Sequence, residues 1–79
     1  MTYLEPPYDE GSPWKVRRGD ESAVVSERTA AYMVCLGVPV NSYGAPEGAS
    51  PEVLRNVLDA EERGDITLSK KAQRLVRGA

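Results

Sequence analysis

A mostly α, single-domain protein is the fold class this sequence predicts, and three observations predict it. Residues 50–77 carry the start signals, stop signals and apolar period of a helical hairpin. A further helical pattern at 26–36 ends at Gly37. The first thirteen residues are interrupted by Pro6, Pro7, Gly11 and Pro13, which deny them a helix or a packed strand of their own. The expected organisation is an extended Pro/aromatic arm over 1–18 and a small helical domain over 19–79. Its helices are expected at 26–36, 51–63 and 68–77.

Taken in order, the arm mixes prolines with Glu5, Asp9 and Glu10, yet Tyr3, Leu4, Tyr8 and Trp14 are interleaved through it. Such a segment either orders on a partner or folds back as a lid over the helices, and the sequence leaves both open. Around Trp14 and Val16, alternation with Lys15 and Arg17 suits a short strand. Arg18-Gly19-Asp20 then reads as a turn, after which Asp20, Ser22 or Ser26 can cap a helix. Val24 and Val25 fit either state. Ala31, Tyr32, Cys35 and Leu36 share the apolar face expected of that helix, with Cys35 as a small buried hydrophobe. Gly37, Val38 and Pro39 supply a left-handed cap, its apolar contact and a residue that forbids continuation. Residues 40–49, which include Tyr43, make a loop long for a helical domain and therefore a candidate for function.

Ser50 and Pro51 give the next helix an N-cap and a first residue that needs no N–H, and Gly64 sits where a left-handed C-terminal cap belongs. Val53, Leu54, Val57, Leu58 and Ala60 fall on one side of it, with Glu52, Arg55, Asp59, Glu62 and Arg63 opposite. Beyond the turn, Ile66 supplies a plug and Thr67 or Ser69 a second cap. Leu68, Ala72, Leu75 and Val76 form the matching stripe. These two stripes are expected to bury each other and form the core.

Composition narrows the function classes. A chain of 79 residues buries only about 60 to 65% of its unfolded surface. With four Tyr, one Trp and no Phe, large anchors are few, which favours assembly with a partner. The single Cys gives no disulfide framework, and the absence of His excludes the usual zinc ligand sets. No apolar run approaches the ~18 residues of a membrane span, so no membrane partner is expected and the predicted compartment is the cytoplasm or an assembled particle. No nucleophile stands beside a base, and Pro46 interrupts the only glycine-rich stretch, Gly44 to Gly48, so no catalytic residue and no cofactor are expected.

The motifs that remain are of low specificity. Two Arg-Gly-Asp triplets, at Arg18 and Arg63, resemble the cell-adhesion tripeptide, but turn glycines and acids ahead of a helix explain both. Residues 57–72, an amphipathic helix, the Gly64-Asp65-Ile66-Thr67 turn and a second helix opening, resemble the first two helices of some helix-turn-helix DNA-binding domains. The resemblance implies a recognition helix that does not follow in this chain. Lys70, Lys71, Arg74 and Arg77 concentrate positive charge on the last helix of a chain of net charge −2. Lys70 and Lys71 stand in the first turn, where the helix dipole disfavours cations by about 0.3 to 1 kcal/mol each.

The function expected is non-enzymatic binding of another macromolecule, as an adaptor, inhibitor or assembly subunit of the size common among bacterial and phage regulatory proteins. The expected partner-binding residues are Tyr3, Tyr8, Trp14, Tyr43, Lys70, Lys71, Arg74 and Arg77. A protein partner leads, and a homo-oligomer is compatible with it. The alternatives are a nucleic-acid-binding regulator using the C-terminal hairpin, which the acidic balance and pI near 5.0 oppose, and a structural component of a larger assembly such as a virion.

Overall fold

Three antiparallel strands precede three helices: β1 Thr2–Glu5, β2 Trp14–Arg18, β3 Glu21–Val25, α1 Glu27–Leu36, α2 Pro51–Arg63 and α3 Lys70–Arg77. The computed structural model describes residues 1–41 and 47–78. The fold is therefore α+β and not mostly α. Among the described residues helix makes up 42% and strand 21%, and the segment read as an arm supplies two of the three strands.

The sheet has the order β1-β2-β3. Leu4, Val16 and Ala23 lie side by side across it, and Trp14 lies opposite Val25. Between β2 and β3 the link is Gly19 and Asp20 alone. Gly19 takes φ 61 at the first central position, as a type II′ turn requires. On the free side of β1, Leu4 N–H donates to Pro39 C=O at 2.9 Å, Asn41 N–H to Leu4 C=O at 2.8 Å, and Ala49 N–H to Thr2 C=O at 2.6 Å. All four residues of β1 are buried, so the strand is covered on both faces and carries no alternation of polar and apolar residues to announce it.

The helices begin and end on the caps that their sequences contain. Ser26, Ser50 and Ser69 each accept a hydrogen bond from the N–H three residues on, and Gly37, Gly64 and Gly78 close the C-termini in the left-handed region. Two expectations shift. The last helix starts at Lys70 and not at 68, because Ser69 is its cap. In α1 the buried residues are Thr29, Ala30 and Met33, with Tyr32 and Leu36 half-buried, whereas Ala31 and Cys35 are exposed. The run Ala30 to Leu36 is apolar nearly all round, so either face fits the same period, and Thr29 is polar by type. Its hydroxyl is satisfied at the cap by the Ser26 hydroxyl and reaches the Thr67 carbonyl at 3.5 Å.

One core joins sheet and helices. Leu4, Val16, Val25, Met33, Val57, Leu75 and Val76 belong to a single buried cluster. α3 packs against β2 and β3 as well as α2, and α1 against β2 and α2. The two helical stripes thus do not close on each other alone. Leu68 and the α3 residues Ala72, Leu75 and Val76 are buried, while Val53, Leu54 and Leu58 of α2 are only half-buried.

Candidate functional site

Leu54 and Leu58 remain half-exposed because they floor an open cleft where α2, the end of α3 and the β1–β2 hairpin meet. Its volume is about 710 Å³. They stand at i and i+4 on α2, and Met1, Ala49, Pro51 and Val76 complete the apolar lining. Three arginines reach the same opening from three elements: Arg18 at the end of β2, Arg55 on α2 and Arg77 in the last turn of α3. Asp59 is the one acid among the lining residues.

Local geometry places each cation. Arg18 is the last residue of β2, opposite Thr2. Thr2 in turn donates from its hydroxyl to the Leu75 carbonyl at 3.4 Å, tying this end of the sheet to α3. A Cβ on Gly78 would come within 2.7 Å of Arg18 Nη1, so the guanidinium rests on the α3 C-cap, where the carbonyl ends of the helix favour positive charge. Arg77 shares that advantage. Among the described residues, the ion pairs are Arg17 with Glu5, Arg63 with Asp65 and Arg74 with Glu21. Arg18, Arg55 and Arg77 take part in none of them. Three guanidiniums outside any ion pair among the described residues, against one lining acid, around an apolar floor suit a ligand with an anionic group beside an apolar one.

The residues expected from sequence to bind a partner are scattered by the fold. Tyr3 is 3% exposed and structural, because β1 is a covered strand and not an arm, so it leaves the candidate set. Tyr8 is 86% exposed at the tip of the β1–β2 loop. Trp14 is half-buried beside a shallow depression lined by Pro7, Pro13 and Val24. Tyr43 lies outside the described residues. Lys70 and Lys71 are exposed. Arg74 is held by Glu21 at 3.3 Å, and Arg77 reaches the cleft. Arg18, Arg55, Leu54 and Leu58 were not singled out as a site. No local spacing links a strand end to a helix more than thirty residues on, so only the fold brings them together.

The Arg-Gly-Asp triplets are explained by structure. The first forms the β2–β3 turn. In the second, Arg63 Nε donates to Asp65 Oδ2 at 3.1 Å and the Tyr32 hydroxyl donates to the same oxygen at 3.1 Å. Asp65, and to a lesser degree Tyr32, hold the Arg63 guanidinium above its ordinary value. Among the described residues no group of three or more His, Cys, Asp or Glu is placed to hold a metal ion, and no helix is long and apolar enough to cross a membrane.

No family model, curated protein or solved structure matches this chain, so the role of the cleft is argued from its chemistry.

Proposed function

We propose that this is a non-enzymatic binding protein, an adaptor, inhibitor or assembly subunit, whose partner is a protein presenting an acidic segment with an apolar anchor to the cleft. The observation that supports the reading is the set of three arginines around Leu54, Leu58 and Val76 that have no ion-pair partner among the described residues. An apolar anchor removes that floor from water, and carboxylates beside it meet the guanidiniums in a partly desolvated rim, where charge-assisted hydrogen bonds are stronger than neutral ones.

Nucleic-acid binding draws on a different observation. Lys70, Arg74 and Arg77 fall at i, i+4 and i+7 on the outer side of α3, a row that phosphates can follow. Glu21 already occupies Arg74, Asp59 stands in the cleft, and the net charge is −2, so protein binding is favoured.

Fluorescence anisotropy decides between them. A labelled peptide alternating Glu with Leu should bind at low salt, and Arg55→Glu should weaken it by about tenfold. A labelled duplex should bind weakly or not at all. Tight duplex binding that falls steeply with salt, with a slope flattened by charge reversal at Lys70 and Lys71, overturns the reading in favour of nucleic acid.

A further inference from the structure

The molecule carries, at the far end of its β-hairpin, a group that matches its own cleft. The β1–β2 loop presents Tyr8, 86% exposed, directly beside Asp9 and Glu10, both exposed. This is an apolar ring flanked by two carboxylates, the chemistry that an apolar floor rimmed by arginines selects. The loop tip is also shaped in advance. Ser12 N–H donates to the Asp9 carbonyl at 3.2 Å, and the Ser12 hydroxyl donates to Asp9 Oδ1 at 2.9 Å. A preformed turn loses little conformational freedom on docking. A tyrosine so exposed, with no packing role in its own chain, is the residue type that most often anchors an interface.

We propose that the cleft takes the Tyr8-Asp9-Glu10 tip of a second copy of this chain, Tyr8 covering Leu54 and Leu58 while the two carboxylates meet Arg55 and Arg77. The inference rests on the reading of the cleft as a protein-binding site and names its occupant. A tip cannot serve its own cleft. The loop leaves β1 after Glu5, whereas Thr2 and Arg18 border the cleft at the opposite end of the same hairpin, a strand length of about 10 Å away at ~3.3 Å per residue. The contact is therefore between molecules, with each copy donating a tip and offering a cleft. Reciprocal exchange between two copies closes a dimer, and one-way seating extends a row. Both use the same contact. Self-association also joins the acidic end of one copy to the basic end of the next, so it must weaken as salt rises.

Sedimentation across micromolar to millimolar concentration tests it. At low salt the parent should sediment above its 8.6 kDa monomer mass and return to it in high salt. The doubly substituted tip Tyr8→Ala/Glu10→Lys and the doubly substituted cleft Arg55→Glu/Arg77→Glu should each be monomeric alone. All four side chains are exposed, and unchanged circular dichroism verifies the fold of both variants. Mixed in equal amounts, these variants should associate, because one retains a cleft and the other a tip. A monomeric parent at millimolar concentration and low salt, association of either variant as strong as the parent's, or a mixture that stays monomeric overturns the proposal. A labelled peptide of residues 5–13 separates this failure from that of the cleft. Binding of the peptide, or of the Glu/Leu peptide, to a parent that remains monomeric removes the second copy and leaves the cleft a protein-binding site. Binding of neither removes both.

Discussion

The protein contains two hairpins, and they are held by opposite means. The helical one, α2 with α3, is framed by local bonds: Ser50 and Ser69 hydroxyls accept from N–H groups three residues away, and Gly64 closes α2 within its own last turn. The β-hairpin, β1 with β2, relies on distant chain. Its outer edge is tied to residues 39, 41 and 49, its first residue to Leu75, and its fully buried Leu4 and Val16 have no core without the helices. Signals that act over four residues can be read one element at a time. A strand tied to residues thirty to seventy positions away carries no such local signal.

The contrast is broken most severely by removing residues 1–13. If the β-hairpin is a component of the core, the truncated protein loses its cooperative thermal transition, with disordered far-ultraviolet circular dichroism. A truncated protein that keeps native helical signal and melting temperature makes the segment an appendage. Leu4→Ala and Leu75→Ala come next, each fully or almost fully buried, and each should cost about 2 to 5 kcal/mol in urea unfolding. Equal losses mark the two hairpins as one cooperative unit, and a cost confined to Leu75→Ala would separate them.

Glu5 and Arg17 sharpen the comparison at the sheet surface. Arg17 Nε donates to Glu5 Oε2 at 3.0 Å, with side-chain exposures of 13% and 8%. Glu5→Ala leaves a nearly buried guanidinium without this partner and should cost about 2 to 4 kcal/mol. The exposed Arg63–Asp65 pair of the helical hairpin should cost under 1 kcal/mol when broken. Cap removal, Ser50→Ala or Ser69→Ala, should cost about 1 kcal/mol each. The smallest effect is of opposite sign. Lys70→Glu puts an acid in the first turn of α3 and should stabilise by about 0.3 to 1 kcal/mol, a shift measurable by differential scanning calorimetry.

Legibility followed the same division. Gly37, Ser50, Pro51 and Gly64 marked helix ends because capping is chemistry between neighbours, and of Asp20, Ser22 and Ser26 the structure selects Ser26. β1 was read as part of an arm because Thr2, Tyr3, Leu4 and Glu5 are all buried, which removes the period of two, and because Pro6 and Pro7 follow at once. β3 was obscured by small residues, since only Ala23 and Val25 of Glu21–Val25 face the core. α1 was placed correctly along the chain but turned, with Met33 inside and Cys35 outside. In the cleft, Arg77 had been named for its charge, whereas Arg18 and Arg55 belonged to patterns already explained by a turn and a helix face. Charge on a single element is visible in sequence, and charge assembled from three elements is not.

The hydrogen bond from the Thr2 hydroxyl to the Leu75 carbonyl spans 73 residues, and this has a bearing on how the chain is made. During translation at about 5 to 20 residues per second, Thr2 waits at least ~4 s, and up to ~15 s, before Leu75, which accepts its hydrogen bond, is synthesised. Closing so large a loop last also slows folding relative to a helical bundle of the same length. Until residues 39, 41 and 49 are made, the outer edge of β1 has no backbone partner, and an open strand edge is a template for pairing with another chain. Pro6 and Pro7 immediately follow it and lack the N–H groups that a growing β-ladder needs. The prolines that hid the first strand thus also keep a foreign ladder from extending beyond Glu5.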